Sequence, residues 1–183
     1  MRAGAGEASA REAARRAAKR LERAGVPEPV ASAEVLLAEL LGMGRAELAA
    51  SAGPLTAEQA SLYEAWISRR IKREPVQRIL GYAYFRNLVL DLNGETLIPR
   101  PDTESVVDAA LEHIDSRGYP CVVLDIGTGS GAIAISIAQE RPRCEVHATD
   151  ISEAALRIAR HNAARNDASV SFHQADLASG LHF

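Results

Sequence analysis

Leu124–Gly131 reads "LDIGTGSG", and the chain continues through "AIAISIAQERP". An apolar stretch running into three glycines, with an aspartate two places before the first, is a strand entering a tight loop and then a helix. Gly127 and Gly129 permit backbone geometry and ligand approach that a side chain would block, and Gly131 lets the helix start close to its neighbours. Outward from this loop, strand and helix patterns alternate: strand 121–126, helix 132–140, strand 145–149, helix 152–166 and strand 170–173. Strands separated by single helices imply crossovers and a parallel sheet, so the region is α/β. In such a sheet ligands sit at the C-terminal strand edge, where the glycine loop lies.

Upstream, "RPDTESVVDAALEHI" predicts a helix with Asp102 or Thr103 as N-cap and Val106, Val107, Ala110, Leu111 and Ile114 on one face. Before it, "YAYFRNLVLDLNGETLIP" has strand composition, with Leu88, Leu90 and Leu92 at period two. Asn93–Gly94 supplies the expected hairpin turn. The first 73 residues read as short helices. One spans 7–23 and stops at Gly25; Pro27 and Pro29 open a second, with Val30, Ala33, Leu37, Leu40 and Leu41 at helical spacing before Gly42. A short helix is expected at 45–50, and Thr56–Gln59 ("TAEQ") fits a capping box for a helix carrying Leu62, Trp66 and Ile71 that ends before Pro75. The expected organisation is a helical domain over 1–73, a hairpin linker over 74–101 and a partial Rossmann-like domain over 102–183.

With 183 residues, 47% hydrophobic and 25% charged, the chain can bury one substantial core or two small ones. No apolar run reaches the roughly 18–20 residues of a membrane span. The first 20 residues lack an apolar signal core. They are Arg-rich enough for a transit peptide, but Glu7, Glu12 and Glu22 argue for a plain helix. Cys121 and Cys144 are expected as buried thiols in a reducing cytoplasm, and scattered histidines (His113, His147, His161, His173, His182) with no CxxC exclude a zinc site. Residues 1–80 carry 13 Lys/Arg against 10 Asp/Glu, and residues 81–183 carry 8 against 14, so the halves differ in sign. Two lobes with different partners or simple solvated faces both fit. The cluster Arg69, Arg70, Lys72, Arg73 reads as a solvated helix end, or as a surface for an acidic partner or RNA.

Two cofactors compete for the loop. "GTGSGA" satisfies G-x-G-x-x-G/A, with Asp150 near the position of an acid on an NAD ribose. Asp125 favours the other reading. A carboxylate at the end of the first strand repels a pyrophosphate and welcomes a cation carrying ammonium or sulfonium, as S-adenosylmethionine does. Asp150 can then accept ribose hydroxyls, and Asp176 can meet the adenine amino group with Leu177 beside the ring. The structural alternatives are a loop-capping role for Asp125, an N-cap role for Asp150 and an ordinary loop aspartate at position 176.

"DIGTGSGAIAI", "ATD" and "QAD" resemble the successive motifs of class I S-adenosylmethionine-dependent methyltransferases. "EPVQRILGYAYFRNLVLDLNGETLIPRPDTESVVDAAL" narrows the match. It is similar to the hairpin and "LIPRPxTE" segment of the protein-(glutamine-N5) methyltransferases that modify bacterial peptide-chain release factors. The resemblance implies a helical N-terminal lobe that recognises the release factor and a second lobe that holds the methyl donor. It also implies methylation of the side-chain nitrogen of the glutamine in the factor's Gly-Gly-Gln loop. Carried over, Asp125, Gly127, Thr128, Gly129, Ser130, Gly131 and Asp150 match donor-binding motifs, and Asp176 and Leu177 match the adenine site. The family often has an aromatic residue at the position of Leu177. Arg100, in "IPRPDTE", is a candidate contact for substrate or donor, with a structural inter-lobe contact as the alternative.

The family orients its glutamine with an Asn-Pro-Pro-Tyr motif after the fourth strand, and this chain contains no Asn-Pro dipeptide. The catalytic residues are therefore unassigned, no metal is expected, and impaired or absent catalysis is expected of these 183 residues alone. Two other functions stay open: an amino-group methyltransferase acting on nucleic acid, and a non-catalytic fragment that only binds the donor. A peptide-chain release factor as partner, no membrane and a cytoplasmic location complete the expectations.

Overall fold

A computed structural model of the chain describes residues 9–50 and 53–181. Residues 7 and 8 of the first expected helix, and His182, lie outside the described residues. The chain divides into two compact units, Met1–Leu80 and Gly81–Phe183.

The first unit is helical: α1 Ala10–Arg23, α2 Pro29–Leu41, α3 Arg45–Ala50, α4 Ala57–Ile71 and α5 Val76–Leu80. Its start signals are local. Ser9 Oγ accepts from the Glu12 amide while the Glu12 carboxylate accepts from the Ser9 amide, and Thr56 and Gln59 repeat the arrangement on α4. Each box satisfies two amides that a helix start leaves unpaired. α1 buries Ala10, Ala14, Ala17 and Leu21, one stripe at helical spacing, and α2 buries Ala33, Leu36 and Leu37. On α4 the buried face is Tyr63 and Ile67, whereas Leu62 is exposed. Val30 on α2 is also exposed. The Tyr63 hydroxyl donates to the Ala33 carbonyl at 2.9 Å inside this core. Burial raises its pKa, with the Glu64 charge adding to the rise.

The basic cluster after α4 serves the fold. Arg69 holds Glu74 through two nitrogens and donates to the Arg78 and Ile79 carbonyls at the end of α5. Arg70 reaches Ser32 Oγ and the Pro27 and Glu74 carbonyls, and Arg73 reaches the Ala24 carbonyl. Three of the four cations proposed as a surface for RNA or an acidic partner are thus engaged with the chain's own oxygens.

The second unit opens with the hairpin β1 Tyr82–Phe85 and β2 Leu88–Asp91. Phe85 faces Leu88, so the turn is Arg86–Asn87 and not Asn93–Gly94. Arg86 sits at φ 50 and is held there by a bond from its amide to Glu104. Its guanidinium adds bonds to Glu140 and Asp108. Asn93 instead forms a turn on itself, its side-chain oxygen accepting from the Glu95 and Thr96 amides.

α6 spans Asp102–Arg117 with Pro101 at the cap and no side-chain capping bond, in place of the expected Asp102 or Thr103 cap. It buries Val107, Leu111 and Ile114, while Val106 is exposed. Then come β3 Cys121–Ile126, α7 Ala132–Glu140, β4 Cys144–Asp150, α8 Glu153–Arg165 and β5 Ser171–Gln174. The three strands are parallel in the order β3-β4-β5. Cys121 and Cys144 are partners in the β3/β4 register with Cα atoms 5.0 Å apart, and the structure joins them as a disulfide where unpaired thiols were expected.

The hairpin is fixed by α8. Asn162 and Asn166, one helical turn apart, pair with the backbone N–H and C=O groups of Asp91 and Val89. The two amide side chains supply β2 with the partners a neighbouring strand would give.

Candidate donor-binding site

The glycine loop is stitched to the end of β4. The Gly127 and Thr128 amides both donate to the Thr149 carbonyl, at 2.8 and 2.9 Å, and the Gly131 amide closes a turn onto the Thr128 carbonyl. Gly127, Gly129 and Gly131 all lie at positive φ. They divide the work. A Cβ on Gly127 or Gly129 would meet nothing within 4 Å, so these two leave open space above the backbone. A Cβ on Gly131 would stand 2.7 Å from Ile135 Cδ1 and 3.3 Å from Ala159 Cβ, so this glycine serves the approach of α7 and α8.

Asp150 spans the loop and the next helix. One carboxylate oxygen accepts from the Gly129 amide at 2.9 Å and the other from the Ser152 amide at 2.9 Å. The actual N-cap of α8 is Ser152. Asp125 turns inward: its Oδ2 accepts from the Thr128 hydroxyl at 2.7 Å and the Ala134 amide at 3.3 Å. It therefore caps the loop and the first turn of α7, the structural alternative weighed above. Burial pushes this carboxyl above its ordinary range, Thr128 and Ala134 pull it back, and the negative charge of Asp150 adds to the rise.

Asp176 and Leu177 lie just past β5, tied to the same edge by the Ala175 amide donating to the Asp150 carbonyl. Asp176 is exposed. Leu177 is 68% exposed and adopts φ 56, a left-handed backbone that a branched side chain rarely takes. Arg100 is exposed, and its side chain has no ion pair among the described residues. Its carbonyl accepts from the Thr103 amide where α6 begins. Ser130 is buried and its carbonyl accepts from Asn162 Nδ2 at 2.9 Å.

Three residues of this edge escaped the sequence reading. Ile126 and Ile151, which follow the last inward residue of β3 and the terminal acid of β4, are exposed apolar side chains like Leu177. Asn162, wholly buried, links the loop to the hairpin through Ser130 and Asp91. A pair of asparagines one turn apart in "HNAARN" was the available signal, because asparagine is a poor helix former unless its amide finds backbone partners. Among the described residues, no group of three or more His, Cys, Asp or Glu could hold a metal ion.

The edge chemistry discriminates between ligands. In dinucleotide folds the helix N-terminus after the glycine loop receives a pyrophosphate. Here one amide of that first turn is already taken by the chain's own Asp125 carboxylate, with Asp150 beside the loop. Two carboxylates beside the loop favour a cation there and disfavour a diphosphate. Open glycine backbone, an acid at the end of β4 and exposed apolar side chains fit an adenosine-bearing sulfonium.

A family model described as the PrmC N-terminal domain matches residues 12–81, and one described as a methyltransferase domain matches residues 119–182. Among curated proteins, the chain is 44% identical over 166 residues to a release factor glutamine methyltransferase of Koribacter versatilis, covering 90% of this chain and 59% of that protein. It is 46% identical over 148 residues to one of Streptomyces coelicolor, covering 80% and 51%. With one of Escherichia coli the identity is 43% over 136 residues, covering 74% and 48%. The chain thus spans about half to three-fifths of the length of these relatives.

Proposed function

We propose that the chain belongs to the release factor glutamine methyltransferase family, which its two matched family models and its curated relatives support, and that it acts in the transfer of a methyl group from S-adenosylmethionine to the side-chain nitrogen of a glutamine. That glutamine belongs to the Gly-Gly-Gln loop of a peptide-chain release factor. The observation that supports the donor assignment is the occupation of the α7 start by Asp125 next to the Asp150-anchored glycine loop. When bound, the donor supplies an electrophilic methyl carried on a sulfonium.

Each residue of the edge has a proposed task. Gly127 and Gly129 let the donor approach the backbone, and Thr128, Ser130 and Gly131 hold the loop in shape. Asp150 accepts from the ribose hydroxyls. Ile126, Ile151 and Leu177 shield the adenine, and Asp176 meets its amino group. Asp125 sets the loop and contributes negative charge. An amide nitrogen is a weak nucleophile because its lone pair is delocalised, so orientation of the glutamine carries most of the rate. Residues 1–73 present the protein substrate, 74–101 link, and 102–183 hold the donor in this reading; Arg100 borders the reacting groups. A cytoplasmic location belongs to the same proposal, since release factors act where translation runs. No described helix is long and apolar enough to cross a membrane.

The test is transfer of labelled methyl from S-adenosylmethionine to a release factor. Label that requires the Gly-Gly-Gln glutamine supports the reading. Label that persists when this glutamine is replaced refutes the substrate assignment.

A further inference from the structure

The helical unit contains a groove of about 580 Å³ between α1, α2 and α3 that no part of the donor site uses. Its floor is apolar: Ala14 and Leu48 are buried, Ala18 is half-buried and Val30 is 54% exposed, although it lies on an otherwise well-packed helix. One wall is a rail of Arg11, Arg15 and Lys19. Their spacing of four places them in line on α1, roughly 6 Å apart along the axis.

Among the described residues of this unit the rail is unpaired, as Arg16, Arg23 and Lys72 also are, and of these cations it alone lines the groove. Arg45 pairs with Glu34 across the same groove, Arg20 pairs with Glu64 outside it, and Arg69, Arg70 and Arg73 bond carboxylates or carbonyls. Arg11, Arg15 and Lys19 are exposed, and none has a hydrogen bond or ion pair among the described residues. Like charges four apart on a helix repel one another; Glu22, three places after Lys19, also lines the groove. A positive rail along an apolar trough is complementary to a helix with a carboxylate row beside an apolar stripe. Single-stranded RNA would want aromatic side chains for stacking, and the groove lining contains none.

We propose that this groove docks an acidic amphipathic helix of the protein substrate. Carboxylates spaced by four residues lie against Arg11, Arg15 and Lys19, and apolar side chains lie over Val30 and Ala18. The identity of the partner rests on the reading above; the groove and its chemistry do not.

The experiment uses the full chain and fluorescence anisotropy. The probe is a labelled synthetic helix of about five turns, with a leucine stripe flanked by glutamates four apart. Binding is expected, weakening with salt, and falling about tenfold or more when glutamine replaces the glutamates or when the chain carries R11E/R15E/K19E. These three side chains lie off the buried stripe of α1, so helicity by circular dichroism is expected to be unchanged; V30E, which places a carboxylate in the trough, is the second variant and weakens binding by a similar factor. Equal binding of the glutamate and glutamine helices overturns the proposal, as does undiminished binding by the charge-reversed chain or tighter binding of oligouridine. An intact release factor is expected to displace the probe. A factor that binds the chain yet leaves the probe in place overturns the docking assignment while the methyl-transfer reading stands.

Discussion

The helical unit and the sheet unit are specified in different ways. In the first, Ser9–Glu12 and Thr56–Gln59 start two helices, and the buried stripes follow from spacing within single helices. In the second, the decisive bonds join residues far apart in sequence: Asn162 with Asp91 across 71 positions and Asp150 with Gly129 across 21. Local bonds tolerate loss because neighbouring turns compensate. Long-range bonds in a crowded centre have no substitute, so the donor edge is the more brittle region.

The sharpest way to break this contrast is a pair of glycine substitutions. Gly131→Ala forces a Cβ to 2.7 Å from Ile135 at φ 87 and is expected to cost about 3–4 kcal/mol in urea unfolding. Gly42→Ala, at φ 63 with nothing within 4 Å, costs about 1 kcal/mol. Equal losses would contradict the contrast. Asn162→Ala comes next. It strands the Asp91 amide and carbonyl in a part-buried setting and the Ser130 carbonyl in a buried one, for an expected loss of about 2–3 kcal/mol. Its counterpart in the helical unit, Tyr63→Phe, frees only the Ala33 carbonyl and costs about 1 kcal/mol.

The smallest effects concern pH, and the two aspartates run in opposite directions. Burial alone would raise Asp91, but hydrogen bonds from Arg165 and His161 outweigh it and hold the carboxyl below its ordinary range. Its contribution is present above the unfolded value of about 4 and is lost as pH falls through the folded one, so wild type and Asp91→Asn converge in acid. The Asp125 carboxyl is raised, first by burial. Folding then favours its protonated form, and its contribution is full below the unfolded value and lost as pH rises through the folded one. Unfolding curves of Asp125→Asn and wild type across the acid range are therefore expected to diverge with the opposite sign.

The same division decides how much the sequence disclosed. The alternation after Gly118, the glycine loop and the capping box at Thr56 were readable because each depends on neighbours a few residues away. Strand and helix limits in the second unit moved by a residue or so, as expected where ends fray. The hairpin turn was misplaced because Asn-Gly is a strong local turn signal, whereas Arg86–Asn87 depends on Glu104, Asp108 and Glu140. The Cys121–Cys144 pairing required the strand register. The five-residue α5 behind Pro75 is too short for its periodicity to register. At the candidate site, the loop and the place of Asp150 at the end of β4 were legible; the loop-capping turn of Asp125 stood only as an alternative, since it depends on how α7 leaves the loop.

Isothermal titration of the chain with S-adenosylmethionine and, separately, with NAD tests the central claim most directly. Saturable heat with the sulfonium, none with the dinucleotide at the same concentrations, and a loss of about tenfold or more for Asp150→Ala are the expected results. Binding of NAD in preference to S-adenosylmethionine would contradict the account.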